Sequence, residues 1–167
     1  IDSIDESFYK NIEKIKEGYI NMYPHVNFGG RINVNDVVDN SYVSNGDTAT
    51  LFSGGVDAFS TLITHIEENP ILITLWGADV KLDDFDGWKR VKEHAMETGL
   101  NFNCINLFVK SSFRLFINED TLSDLVIDYA GDNWWHGFQH GIGLIGHVAP
   151  LAYLHKIKTL YIASSFT

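Results

Sequence analysis

Leu51-Phe52-Ser53-Gly54-Gly55-Val56-Asp57-Ala58-Phe59-Ser60 decides how this chain is read. An apolar run ends in a glycine pair and a helical pattern begins directly after it, which predicts a strand, a tight turn and a helix N-terminus in one short stretch. Paired glycines accept positive φ and let a ligand approach main-chain N–H groups without a Cβ in the way. The first N–H groups of the helix have no intrahelical partner and sit at the positive end of its dipole. The ligand this arrangement suits is an anion, above all phosphate. Ser53 and Ser60 add hydroxyl donors, and Asp57, which repels a bare phosphate, makes sense as the holder of a bridging Mg²⁺. Hydrogen bonds to charged groups contribute roughly 1.5–3 kcal/mol each, so three or four would hold a polyphosphate. The competing reading is an ordinary strand-to-helix turn with no ligand.

Outward from this stretch, Thr48 to Phe52 reads as the first core strand and the helix after the turn runs to about Glu68. Past Pro70, Ile71 to Trp76 is a nearly continuous apolar run, the pattern of a parallel strand covered on both faces. Asp84 to Thr98 follows as a helix with Trp88, Val91, His94 and Ala95 on one face and Gly99 as its stop. Asn101 to Val109 is the third strand, Phe113 to Phe116 and Leu122 to Tyr129 form a helical insertion, and Thr159 to Ala163 is the fourth strand. This alternation predicts an α/β domain over 48–167: a doubly wound parallel sheet with helices on both faces. Ligands then gather beyond the carboxyl ends of the strands. Residues 1–47 are expected to form an N-terminal appendage. Ile4, Phe8, Ile12, Ile15 and Tyr19 recur at helical spacing up to Met22. Between His25 and Thr48, the pieces Arg31 to Val34 and Val37 to Val43 are expected to make a hairpin or an extra sheet edge.

Ser53-Gly54-Gly55-Val56-Asp57 matches the SGGxD core of the PP-loop. With "LFSGGVDAFSTL", His140-Gly141 opening a later apolar segment, and the closing "YIASSFT", the chain resembles a bacterial branch of the N-type ATP pyrophosphatases. These adenine nucleotide alpha-hydrolase-like enzymes include asparagine synthetase, GMP synthetase, NAD synthetase and 7-cyano-7-deazaguanine synthase. The resemblance covers Thr48 to Thr167, and SGGxD is its one sharp motif. It implies a Rossmann-like domain that binds ATP and adenylates a substrate carboxylate or amide with release of pyrophosphate. Ser53, Gly54, Gly55, Val56 and Asp57 would cradle the phosphates, with Asp57 on Mg²⁺ and Asp57, Ser53 and Ser60 as the catalytic set. Leu75, Trp76 and Gly77 would lie beside adenine, His140 and Gly141 near phosphate or substrate, and Ser164 and Ser165 at the ligand-facing end of the last strand. The superfamily usually has serine where this chain has Ala58, and no basic residue for the developing charge is evident. Both departures favour an alternative, a catalytically inactive nucleotide-sensing or partner-binding module.

Other classes are excluded on their own terms. Gly141-Ile142-Gly143-Leu144-Ile145-Gly146 reads as GxGxxG, but no strand precedes it and no Asp or Glu follows Asn133 to hold a ribose. No GK[ST] tripeptide occurs, which excludes a Walker A site. The formal charge of −10 with scattered lysines and arginines speaks against a nucleic-acid surface. The apolar run from Gly141 to Leu154 is too short to span a bilayer. A single cysteine, Cys104, precludes an internal disulfide and points to a buried thiol in a reducing, cytoplasmic compartment. His136, His140 and His147 share a helical face, yet the first and last stand about 16 Å apart along it, too far for one tetrahedral zinc. The first residue is not methionine and the chain stops soon after a strand. A piece of a longer protein is expected, completed by flanking domains or by a homo-oligomer, with an acceptor substrate that the sequence does not name.

Overall fold

The computed structural model describes residues 1–41 and 43–163. In chain order the elements are β1 (Ser3–Asp5), α1 (Glu6–Met22), β2 (Asp36–Val38), β3 (Thr48–Leu51), α2 (Val56–Thr64), β4 (Ile71–Trp76), α3 (Phe85–Phe102), β5 (Asn106–Lys110), α4 (Phe113–Phe116), α5 (Glu119–Ala130), α6 (His140–His155) and β6 (Thr159–Tyr161). A π-helical stretch, Trp134–Gln139, leads into α6. β1 and β2 form a small parallel sheet; the other strands form a parallel sheet in the order β5-β4-β3-β6.

Every residue of β3 and the first four of β4 are buried, which is why their sequence is apolar without alternation. Ala49, Leu51, Ile71 and Ile73 face one way and pack with Val148 of α6 and Ile157. Leu72 faces the other way and packs with Ala58 and Leu62 of α2, Ala95 of α3, Phe52 and Cys104. Helices therefore lie against both faces of the sheet, and the chain is an α/β protein. Cys104 is buried as expected, and burial pushes its thiol pKa up. Among the described residues, no helix is long and apolar enough to cross a membrane.

Several boundaries differ from those expected. α3 runs through Gly99 and stops at Asn103, whose left-handed φ of 56° caps it, so the third strand begins at Asn106 and not at Asn101. Gly99 is a packing glycine: a Cβ there would sit 1.9 Å from Asn106 Nδ2 and 2.9 Å from the Cys104 carbonyl. Of the hairpin and the extra sheet edge expected before Thr48, neither is formed among the described residues. Arg31 to Val34 is no strand, and the second piece contracts to β2, which pairs in parallel with β1 across α1. A parallel pair requires such a crossover, whereas a tight turn serves only an antiparallel one. Ile4 lies in β1 because Asp5 ends that strand and caps α1, accepting the Phe8 N–H at 2.8 Å. The hydroxyls of Tyr19 in α1 and of Tyr23, its C-cap, donate to the carbonyls of Phe138 and Gly137, at 3.2 and 3.0 Å, joining α1 to the π-helical stretch.

Beyond α2, the carboxylate of Glu68 takes hydrogen bonds from His65, at 2.9 Å, and from the Tyr161 hydroxyl of edge strand β6. These bonds, His65 first and Tyr161 second, hold the Glu68 pKa below its ordinary value and raise that of Tyr161. A lowered folded-state carboxylate pKa contributes stability above the unfolded value of 4.5, which is lost as pH falls through the folded value. The Glu68→Gln variant should accordingly be less stable than the parent at neutral pH, and the gap should narrow on acidification below the ordinary glutamate range. Urea denaturation across that range measures it.

Candidate functional site

At the carboxyl end of β3 the chain turns through Phe52, Ser53, Gly54 and Gly55 into α2. Two hydrogen bonds fix the start of this turn: the Phe52 N–H donates to Ile73 O, and the buried Thr74 hydroxyl donates to Phe52 O, both at 2.9 Å. Gly54 takes φ +81°, and a Cβ there would lie 2.7 Å from Cδ2 of His94. The positive φ favours glycine at this position, and a side chain would also have to displace the exposed His94 ring. Gly55 is the N-cap of α2 and supplies no side-chain cap, whereas Asp5, Asp84 and Asn118 cap α1, α3 and α5. The first-turn donors of α2 are therefore available to an outside acceptor. The Ser53 hydroxyl accepts a long bond, 3.4 Å, from the Gly55 N–H.

Beside the turn lies a cleft of about 230 Å³ at the carboxyl ends of β3, β4 and β6. Ser53, Leu75, Asp79, Val91, His140 and Ala163 are among its walls, and Ser53 belongs to both the turn and the cleft. Asp79 accepts the indole N–H of buried Trp135 at 3.1 Å. His140 Nε2 stands 3.9 Å from Asp79 Oδ1, is shielded from solvent, and has no hydrogen-bond partner among the described residues. The guanidinium of Arg114 stacks over the Trp135 ring at 4.8 Å, pairs with Glu119 and donates to the Ala78 carbonyl at 2.6 Å. That network holds the loop carrying Asp79 and engages Arg114.

The structure thus brings Ser53, Leu75 and His140 to one cleft, with Gly54, Gly55 and the start of α2 next to it. Val56, Asp57 and Ser60 are exposed on α2 and line no part of the cleft. Ser60 lies a full turn inside the helix, and Ala58 points into the core, 2 % exposed. The Trp76 side chain faces away from the cleft, its ring stacked on Trp88 at 5.2 Å and its N–H donating to Lys81 O. Gly77, at φ +97°, serves packing: a Cβ would meet the Ser111 carbonyl at 1.9 Å. Gly141 lies in the first turn of α6 with open space around it. Ser164 and Ser165 lie outside the described residues.

Two residues of the site were not singled out from sequence. His94 was assigned to the packing face of α3, yet its ring lies over the turn, 5.6 Å from Phe59 and 6.4 Å from Phe52. Asp79 is an acidic residue in the loop after β4, a position that by sequence suits a solvated charge at least as well as a contact to a ribose or a metal. Its hydrogen bond to Trp135 spans 56 residues, which no local pattern reveals. Among the described residues, no three His, Cys, Asp or Glu side chains cluster closely enough to hold a metal ion by themselves. A lone carboxylate such as Asp57 suits Mg²⁺ bound mainly by water and phosphate oxygens. Comparison with known proteins finds no matching family model, curated protein or solved structure.

Gly77→Ala should cost more than about 2 kcal/mol of folding stability, because both the left-handed backbone and the Ser111 contact are violated. Gly55→Ala, whose Cβ would meet only Ser53 Oγ at 3.6 Å, should stay within about 1 kcal/mol of the parent. Chemical denaturation of the two variants distinguishes them.

Proposed function

We propose that this chain is a nucleotide-binding domain of the PP-loop type, which binds ATP with Mg²⁺ and activates a carboxylate or amide by adenylation. The observation that carries the reading is the uncapped N-terminus of α2, preceded by a glycine at positive φ and opening beside a cleft at the strand ends. The strand order β5-β4-β3-β6, with α6 on one face and α2 and α3 on the other, supports a doubly wound, Rossmann-like sheet.

In this reading the N–H groups of Gly54 to Asp57 bind the departing pyrophosphate and Ser53 supplies a hydroxyl. Asp57 is the residue to hold Mg²⁺, which would neutralise phosphate charge. The apolar wall with Leu75 takes the base, and His140, with its unpaired Nε2, faces the reacting phosphate or the acceptor. The acceptor oxygen attacks the α-phosphorus and the α–β bridging oxygen leaves with pyrophosphate. The protein's part is in-line positioning and charge stabilisation, with no protein nucleophile.

A second reading, binding without turnover, is favoured by two observations. Ala58 is buried and offers no hydroxyl, and no lysine or arginine lines the cleft among the described residues. Isothermal titration with ATP and Mg²⁺ tests both readings, and absence of binding at millimolar nucleotide removes both. Gly54→Ala should weaken binding by about 10-fold or more, the equivalent of one charge-assisted hydrogen bond. Pyrophosphate release that disappears in Asp57→Ala supports the enzyme, and binding without release supports the module.

A further inference from the structure

A second constellation lies at the carboxyl end of β5, outside the nucleotide cleft. Ser111 follows β5 directly, and its N–H donates to the Trp76 carbonyl at 2.8 Å, which fixes its backbone. His147 of α6 has Nδ1 at 2.5 Å from the Gly143 carbonyl and Nε2 at 2.6 Å from Ser111 Oγ. A carbonyl can only accept, so Nδ1 carries the ring proton, and Nε2 of the neutral imidazole is left as an acceptor. In that neutral form the Ser111 hydroxyl is the donor to Nε2. Its oxygen also accepts the Phe113 N–H at 3.1 Å. Phe113 contacts the imidazole edge-on at 5.7 Å and limits its rotation. The result is a serine hydrogen-bonded to a base, with the base oriented by a third group, which is the geometry of an activated nucleophile.

Both side chains open onto a cavity of about 400 Å³ that is also walled by Phe113, Ile142 and Gln139. The phenyl ring of Phe113 and the branched aliphatic side chain of Ile142 suit an acyl chain. Gln139 supplies carboxamide N–H donors, and its oxygen is engaged by the Tyr19 hydroxyl at 3.5 Å. Side-chain amides of this kind stabilise an oxyanion.

We propose that Ser111 and His147 form a nucleophilic dyad that hydrolyses short-chain acyl esters, a site separate from the nucleotide cleft. Ser111 Oγ attacks the ester carbonyl while His147 Nε2 takes its proton. Collapse of the tetrahedral adduct breaks the ester C–O bond, and His147 returns the proton to the departing alcohol. Water, deprotonated by the same nitrogen, then cleaves the acyl-serine to the carboxylic acid and restores the hydroxyl.

The test is covalent labelling of the whole chain with a fluorophosphonate probe, followed by peptide mapping, together with hydrolysis of p-nitrophenyl acetate and butyrate. A phosphonyl adduct on Ser111 is expected. It should be absent in Ser111→Ala, and its formation and ester hydrolysis should slow about 100-fold or more in His147→Asn. No adduct on Ser111 in the parent protein overturns the proposal, as does undiminished labelling in His147→Asn. Should His147→Asn alone fold poorly, the Ser111→Cys variant decides. Its thiol should be alkylated by iodoacetamide well above the rate of a free cysteine, and an ordinary rate overturns the dyad.

Discussion

The central strands β3 and β4 must be covered on both faces, and the rest of the architecture follows from that requirement. Every residue of β3 is buried, so neither face of the strand can be left to water. α6 closes one side through Val148, and α2 and α3 close the other through Ala58, Leu62 and Ala95. Burying a large aliphatic side chain contributes roughly 1.5–3 kcal/mol, and these layers bury many together. With both faces occupied, the ends of the strands are where a concave polar surface can form. The turn after β3, the loop after β4 and the start of α6 meet there.

Close backbone approaches then shape that end of the sheet. Gly77 lets the Ser111 carbonyl come where a side chain would stand, while the Ser111 N–H bonds to Trp76 O. The same contact that joins the ends of β4 and β5 thereby sets Ser111 opposite His147. Next to it, Arg114, Trp135 and Asp79 form a chain of stacking and hydrogen bonding that fixes the loop after β4. Trp135 fits under α6 because Gly143 has no side chain; a Cβ there would lie 2.8 Å from the indole. Gly143 therefore serves two neighbours, admitting Trp135 beside the helix and offering its carbonyl to His147. Of the glycines in the GxGxxG stretch, Gly143 acts in packing, while Gly141 and Gly146 have open space around them.

The two sites differ in what built them. The turn at Ser53-Gly54-Gly55 is local: its backbone angles, the apolar strand before it and the helix after it all lie within a few residues, and each was legible. Asp79 with Trp135, His94 with Gly54, and Ser111 with His147 are pairings between elements distant in the chain. Their members carry no mutual spacing in the chain, and Ser111 in particular sits in a plain Lys-Ser-Ser run. The misplaced boundaries have a similar origin. Gly99 has the composition of a helix stop, but the neighbouring β5 needs the space that its missing side chain leaves.

By itself, the sequence determined the α/β class, the parallel character of β3 and β4, the buried cysteine and the glycine turn into α2. Short-range sterics and hydrophobic periodicity are sufficient for each of these. Only the tertiary structure decided that Ser53, Leu75 and His140 share a cleft while Asp57 and Ser60 face outward. It also decided that β2 pairs with β1, and that a serine after β5 meets a histidine one helix away from the end of the chain's core. Those relations depend on how strands are ordered and helices are laid over them, and distances across a sheet are not written in the spacing of residues along it.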